Sequence, residues 1–179
     1  MAAIYTDLKD KVVVVTGGAG GIGAALVRAF HAQGSKVGCL DIDVARGEAL
    51  TAELGDGALF VPCDLTDIPA LKAAVGKVRD AFGPIDILVN NAAHDERHET
   101  LEVTEVYWDG RMAVNLKHQF FAAQAVLPDM KAAMQKLDMM VVIDPYPSMT
   151  AAMHGRTDGV YLLPAASQFE TQGSCTASN

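Results

Sequence analysis

The chain has 179 residues, half of them hydrophobic, 20% charged and only 6% aromatic; this suits one domain with a real core rather than two. A net charge of −8, with charges interspersed rather than blocked, repels a phosphate backbone and argues against nucleic acid as a partner. Cys39, Cys63 and Cys175 are too few and too widely spaced for a disulfide framework or a zinc site, and no apolar run approaches the length that spans a bilayer.

The N-terminal stretch to Lys11 carries Asp7 and Asp10 and lacks the pattern of a signal peptide, so a reducing cytoplasm is the expected compartment. Val12-Val13-Val14-Val15, ended by Thr16-Gly17-Gly18, reads as a buried strand. Ile22 to Gln33 has helical spacing and stops at Gly34. A second strand runs from Lys36 to Leu40 and closes on Asp41. A helix over Val44–Leu54, a strand over Ala58–Pro62, a helix over Pro69–Phe82 and a strand over Ile85–Val89 follow. Strand and helix repeated in this way predict a Rossmann-like doubly wound α/β fold with a parallel sheet.

After the polar stretch His94–Glu102, one long helix is expected from about Thr104 to Met134, kinked or broken at Pro128. Met139–Ile143 reads as a fifth and last strand. Beyond Asp144, prolines, glycines and small polar residues leave no recognisable element. The expected organisation is a dinucleotide-binding domain over 1–143 and an irregular tail over 144–179.

Gly18-Ala19-Gly20-Gly21-Ile22-Gly23 fits G-x-G-x-x-G between a strand and a helix, the context in which that pattern carries weight. Glycines let the backbone turn tightly and approach a pyrophosphate, and the helix N-terminus offers free N–H groups to that anion. Asp41 lies eighteen residues beyond Gly23, at a strand end. A carboxylate there accepts from ribose hydroxyls and repels a 2′-phosphate, which predicts NAD over NADP. Asp43 competes for that role, and Asp41 read blandly is a strand-end turn residue. Asp64 sits where adenine would lie, or caps a helix starting near Thr66; Asp67 is an alternative cap.

Thr16-Gly17-x-x-x-Gly21-x-Gly23, Asp64-Leu65, Asn90-Asn91-Ala92-Ala93 and Val114-Asn115-Leu116, in that order, resemble the motifs of the short-chain dehydrogenase/reductase family over about residues 11–130. Ala93 stands where the family has Gly. His94-Asp95-Glu96-Arg97-His98, Glu102-Val103-Thr104 and Trp108-Asp109 make the sugar dehydrogenase branch the most similar, enzymes that oxidise an aldose to its lactone with a nicotinamide cofactor. The resemblance implies that Gly17, Gly20, Gly21, Ile22 and Gly23 form the pyrophosphate turn. It places Asp41 and Ile42 at the adenosine ribose, Asp64 and Leu65 at adenine, and Asn91 near the nicotinamide ribose. Asn115 would support a water chain to a catalytic lysine. His94 and His98 have an i, i+4 spacing that can chelate a metal on a helix, but carboxylates lie between them and no third ligand is evident, so no metal is expected.

Catalysis in that family uses a Tyr and a Lys four residues apart, the Lys lowering the pKa of a phenol that is otherwise too weak a base. Tyr5 with Lys9 precedes the first strand. Tyr107, Tyr146 and Tyr161 are followed four residues on by Arg111, Thr150 and Ala165, and no lysine follows Lys136. Cys175-Thr176-Ala177-Ser178-Asn179 only faintly resembles the family's Tyr-x-Ala-Ser-Lys. The last 45 residues read as the product of a truncation, an altered frame or a recombined tail, which comparison of the coding DNA in three frames tests. The expectation is an NAD-binding chain with a small-molecule substrate, a sugar, that is inactive in isolation. The alternative is an active sugar dehydrogenase whose catalytic groups come from the tail or a second chain. In that family the helix after the fourth strand packs against a following helix and a partner subunit, so the resemblance implies that Ala113, Leu116, Phe120, Phe121, Ala123 and Val126 need cover; if the tail does not supply it, self-association, as a homo-oligomer, or low stability is expected.

Overall fold

A β-branched run packs well in a pleated sheet covered on both sides, and Val12–Thr16 forms such a strand, β1, with all five residues buried. The computed structural model describes residues 3–135 and two strands at 140–144 and 160–164. After β1 come α1 (Gly21–Ala32), β2 (Lys36–Asp41), α2 (Val44–Leu54), β3 (Ala58–Pro62), α3 (Ile68–Phe82) and β4 (Ile87–Val89). The strands are parallel in the order β3-β2-β1-β4. This is the doubly wound arrangement expected, with the chain reversing direction across the sheet between β1 and β4.

Alternation along β1 divides the core. Val12 and Val14 face a layer containing Leu71, Val75 and Val78 of α3 together with Ala122 and Val126. Val13 and Val15 face Ala24 and Val27 of α1 and Leu50 of α2. Burying each such side chain contributes about 1.5–3 kcal/mol. Asp43 caps α2 by accepting from the Arg46 amide, and Asp67 caps α3 by accepting from the Ala70 amide, each at 3.0 Å. β4 starts two residues later than its apolar run: the Ile85 amide donates to the Asp129 carboxylate (3.2 Å), and the Val12 amide donates to the Asp86 side chain (2.9 Å) rather than to backbone.

The long helix expected over 104–134 is interrupted, and not at Pro128. It comprises α4 (Glu105–Met112), a π-helical segment over Ala113–Lys117, and α5 (His118–Met134), which runs through Pro128. π-turns of this kind recur at functional positions.

The chain divides into two units, Met1–Met130 and Lys131–Asn179. In the second, β5 (Met140–Asp144) pairs in parallel with β6 (Val160–Pro164), Met140 opposite Val160. The run around Met139–Ile143 is thus a strand as expected, but its partner is β6 and the sheet of the first unit has four strands. An apolar run announces a strand without announcing its partner, and β6 lies where the sequence showed no element.

Candidate functional site

The loops at the carboxyl ends of β1, β2, β3 and β4 border a cleft of about 930 Å³, toward the upper end of the ~300–1,000 Å³ range of ligand sites. It lies across the point where the strand order reverses, the position at which open α/β sheets bind ligands. Gly17, Gly20, Gly21, Ile22, Gly23, Asp41, Ile42, Asp64, Leu65 and Asn91 all line it. Its wall on the β4 side comes from Ala92, Ala93, His94, Asp95 and Val114, all within the motifs quoted above, and from Gly110 and Arg111, which lie outside them. Asn115 is not in the lining; its neighbour Val114 is.

The turn after β1 needs its glycines for two different reasons. Gly17 and Gly21 have φ of 65° and 52°, a region that costs an L side chain roughly 1–2 kcal/mol. Gly23 has no room: a Cβ there would overlap the Gly17 carbonyl oxygen and come within 2.7 Å of Asn91 Nδ2. Gly20 is the N-cap of α1, and no side chain caps the helix there. Twelve residues of aligned peptide dipoles with an uncapped N-terminus, opening onto a cleft, suit a phosphate group.

Three side chains fix this turn. Asp41 accepts from the Ala19 amide through Oδ2 (2.8 Å) and from the Asp43 amide through Oδ1 (3.0 Å). Asn91 Nδ2 donates to the Thr16 and Gly17 carbonyls, each at 3.0 Å. Buried Thr16 accepts from the Asn91 and Ala92 amides at Oγ1 (3.1 and 3.2 Å). The amide of Asn91 is therefore spent on the turn. Asp43 lines the cleft but is engaged in capping α2.

Asp64 does not cap α3, since Asp67 does. Its Oδ1 accepts from both the amide and the hydroxyl of Thr66 (2.9 and 2.7 Å), bonds that hold its carboxyl below the usual carboxylate range. Burial pushes the Cys39 thiol up to about 12 and the Cys63 thiol up to about 11, which favours the neutral thiol over the reactive thiolate at both.

Asn115 sits in the π-helical segment and clasps the peptide of His94. Its Oδ1 accepts from the His94 amide (2.7 Å) and its Nδ2 donates to the His94 carbonyl (3.0 Å). The Asn115 carbonyl accepts from Gln119 Nε2 (2.8 Å). The same loop is tied to α4 by Arg111 to Glu96 (2.8 Å) and by the Tyr107 hydroxyl to the Glu96 carbonyl (2.9 Å). His98 meets the Tyr107 ring edge-on at 4.5 Å, so it is packed on an aromatic rather than poised with His94. Among the described residues no group of three His, Cys, Asp or Glu is placed to hold a metal, no tyrosine or lysine lines the cleft, and no helix is long and apolar enough to cross a membrane.

A family model described as short chain dehydrogenase matches residues 11–154, past the last motif read from the sequence. A D-xylose 1-dehydrogenase from Caulobacter vibrioides is 46% identical over 133 residues, 73% of this chain and 52% of that protein. A galactitol 2-dehydrogenase from Agrobacterium fabrum is 41% identical over 119 residues, 66% of this chain and 46% of that protein. The chain thus spans about half the length of the curated relatives it matches. The crystal structure of a 3-ketoacyl-(acyl-carrier-protein) reductase from Brucella melitensis complexed with NADH superposes with a TM-score of 0.70 at 29% identity, over 76% of this chain and 57% of that one. The turn, the strand order and these similarities agree, and the chain belongs to the short chain dehydrogenase family.

Proposed function

We propose that the first unit binds NAD and that this 179-residue chain does not by itself oxidise the sugar on which its relatives' names turn. The observation that carries the first half is the Asp41 carboxylate, locked by two backbone amides beside an uncapped glycine turn. Gly17, Gly20, Gly21, Ile22 and Gly23 take the pyrophosphate, Asp41 and Ile42 the adenosine ribose, and Asp64 and Leu65 the adenine. Asn91 keeps the turn shaped beside the nicotinamide ribose. A carboxylate unable to rotate away disfavours a 2′-phosphate, hence NAD over NADP. The bound nicotinamide supplies a hydride acceptor.

The second half rests on the missing Tyr-x-x-x-Lys pair, since losing a general base costs a factor of about 10² to 10⁴. Asn115, expected to support a proton path, acts on this reading by holding the His94 loop against the cleft. The substrate is a small polyhydroxylated molecule, as the xylose and galactitol enzymes suggest. Exposed Leu116 and Phe120, 57% and 65% accessible, support self-association, and the unpaired, buried Cys39 and Cys63 suit a reducing cytoplasm.

Titration with NAD, then NADH formation with a panel of aldoses and polyols, tests both halves. Binding without turnover is expected. Turnover well above background would favour the second reading, in which the tail or a second chain supplies the base. No NAD affinity would overturn the proposal. Light scattering reporting a clean monomer would overturn the self-association.

A further inference from the structure

The cleft is lined by four carboxylates, Asp41, Asp43, Asp64 and Asp95, on a chain whose net charge is already −8. A dinucleotide is itself anionic, so binding there needs a compensating cation. Two arginines line the cleft. Arg111 is bonded to Glu96 at 2.8 Å, beside the loop that follows β4. Arg46, in the first turn of α2, is differently placed.

Its side chain is 73% exposed and meets Asp43 at a loose 3.5 Å. Exposed pairs of this kind are worth little and hold neither partner firmly. Its Nη1 lies 3.5 Å from the position a Cβ would take on Gly20, the N-cap of α1. The guanidinium therefore stands at the rim of the uncapped helix N-terminus, with a planar fork of donors suited to phosphate oxygens.

We infer that Arg46 is a phosphate-binding residue of the cleft, closing over the 5′-diphosphate of a bound adenine dinucleotide from the α2 side. The 2′ position is the poorer choice, because the locked Asp41 carboxylate occupies that edge. Asp43 competes with a phosphate for the Arg46 guanidinium while it caps α2. The inference rests on the proposed nucleotide site and deepens it.

The test is calorimetric titration of the unmodified chain, Arg46→Gln and Asp43→Asn with ADP-ribose, adenosine and 2′,5′-ADP. The unmodified chain binds ADP-ribose. Arg46→Gln weakens ADP-ribose by about three- to fivefold, the scale of one partly exposed ion pair, and leaves adenosine unchanged. The loss shrinks in high salt. Asp43→Asn frees the guanidinium and tightens ADP-ribose. If the unmodified chain binds ADP-ribose and Arg46→Gln binds it equally well, the role of Arg46 is overturned and the nucleotide site stands. An equal loss for adenosine, or a loss confined to 2′,5′-ADP, overturns the diphosphate assignment. No binding of ADP-ribose by the unmodified chain overturns both. Arg46 is exposed and caps through its backbone amide only, so Arg46→Gln should melt like the unmodified chain.

Discussion

Asp41 accepts a hydrogen bond from the Ala19 amide at 2.8 Å, so the carboxylate proposed to read the ribose also shapes the turn proposed to hold the pyrophosphate. Asp41→Ala strips acceptors from the Ala19 and Asp43 amides as well as from the ligand. Each unmet donor costs roughly 1 kcal/mol, and a charged hydrogen bond to a hydroxyl is worth about 1.5–3 kcal/mol. The expected result is a lower melting temperature and NAD binding weakened by about ten- to a hundredfold. NADP should be weakened less, narrowing the gap between the two cofactors in a titration.

The two kinds of glycine in the turn should behave differently. Gly23→Ala drives a Cβ into the Gly17 carbonyl and toward Asn91, which can be relieved only by opening the turn. Nucleotide binding should be lost, with a destabilisation of about 1–3 kcal/mol. Gly21→Ala meets nothing within 4 Å and bears only the cost of its φ of 52°, roughly 1–2 kcal/mol. Denaturation and NAD titration of both variants separate these cases; a Gly23→Ala chain that binds as well as Gly21→Ala would refute the close approach.

Asp129 joins three elements. It accepts from Arg79 Nε of α3 (2.9 Å) and from the Ile85 amide ahead of β4 (3.2 Å), while Arg79 Nη2 donates to the Ala125 carbonyl of α5 (2.9 Å). Its side chain is only 13% exposed. Asp129→Ala leaves a half-buried guanidinium and a backbone donor unmet, a loss of about 2–4 kcal/mol. Arg28→Ala, which breaks an exposed, solvent-screened pair with Glu53, should leave the midpoint almost unmoved. Urea midpoints for the two variants check the contrast.

The glycine turn, the four strands of the main sheet and Asp41 were legible because each is written locally, in a period of two, a period of 3.6 or a run of glycines. The same local grammar offered Asp64 or Asp67 as the cap of α3, and the structure uses Asp67. Asn115 was legible as a residue of interest but its contact was not, because the clasp on His94 depends on a π-turn that no spacing announces. Pro128 drew attention as a helix breaker, yet the interruption lies at 113–117. Arg46 carries no motif at all; it matters through a contact between α2 and the start of α1, which exists only once the sheet is folded. Of the residues expected to need cover on this helix, Val126 is buried in the core whereas Leu116 and Phe120 are exposed. A π-turn shifts the helical face, so residues on its two sides do not share one exposure.

His118 gives the chain a pH-dependent stability. It is fully buried just after the π-turn, on the same face of α5 as Ala122 and Val126, and neither ring nitrogen makes a well-formed hydrogen bond. Burial disfavours the charged imidazolium and lowers its pKa, outweighing the Val114 carbonyl one turn back, which acts in the opposite direction. In the unfolded chain a histidine titrates near ~6.5. Protonation therefore favours the unfolded state: the contribution is fully present above about pH 6.5 and is lost as pH falls toward and through the lower folded value. His118→Leu replaces a buried polar ring with an apolar group. Urea midpoints at pH 7.5, 6.5 and 5.5 should fall for the unmodified chain and fall less steeply for the variant. The variant should match or exceed the unmodified chain at the acidic end, because no buried charge need form there. Equal slopes for the two proteins would mean that the acid sensitivity arises elsewhere.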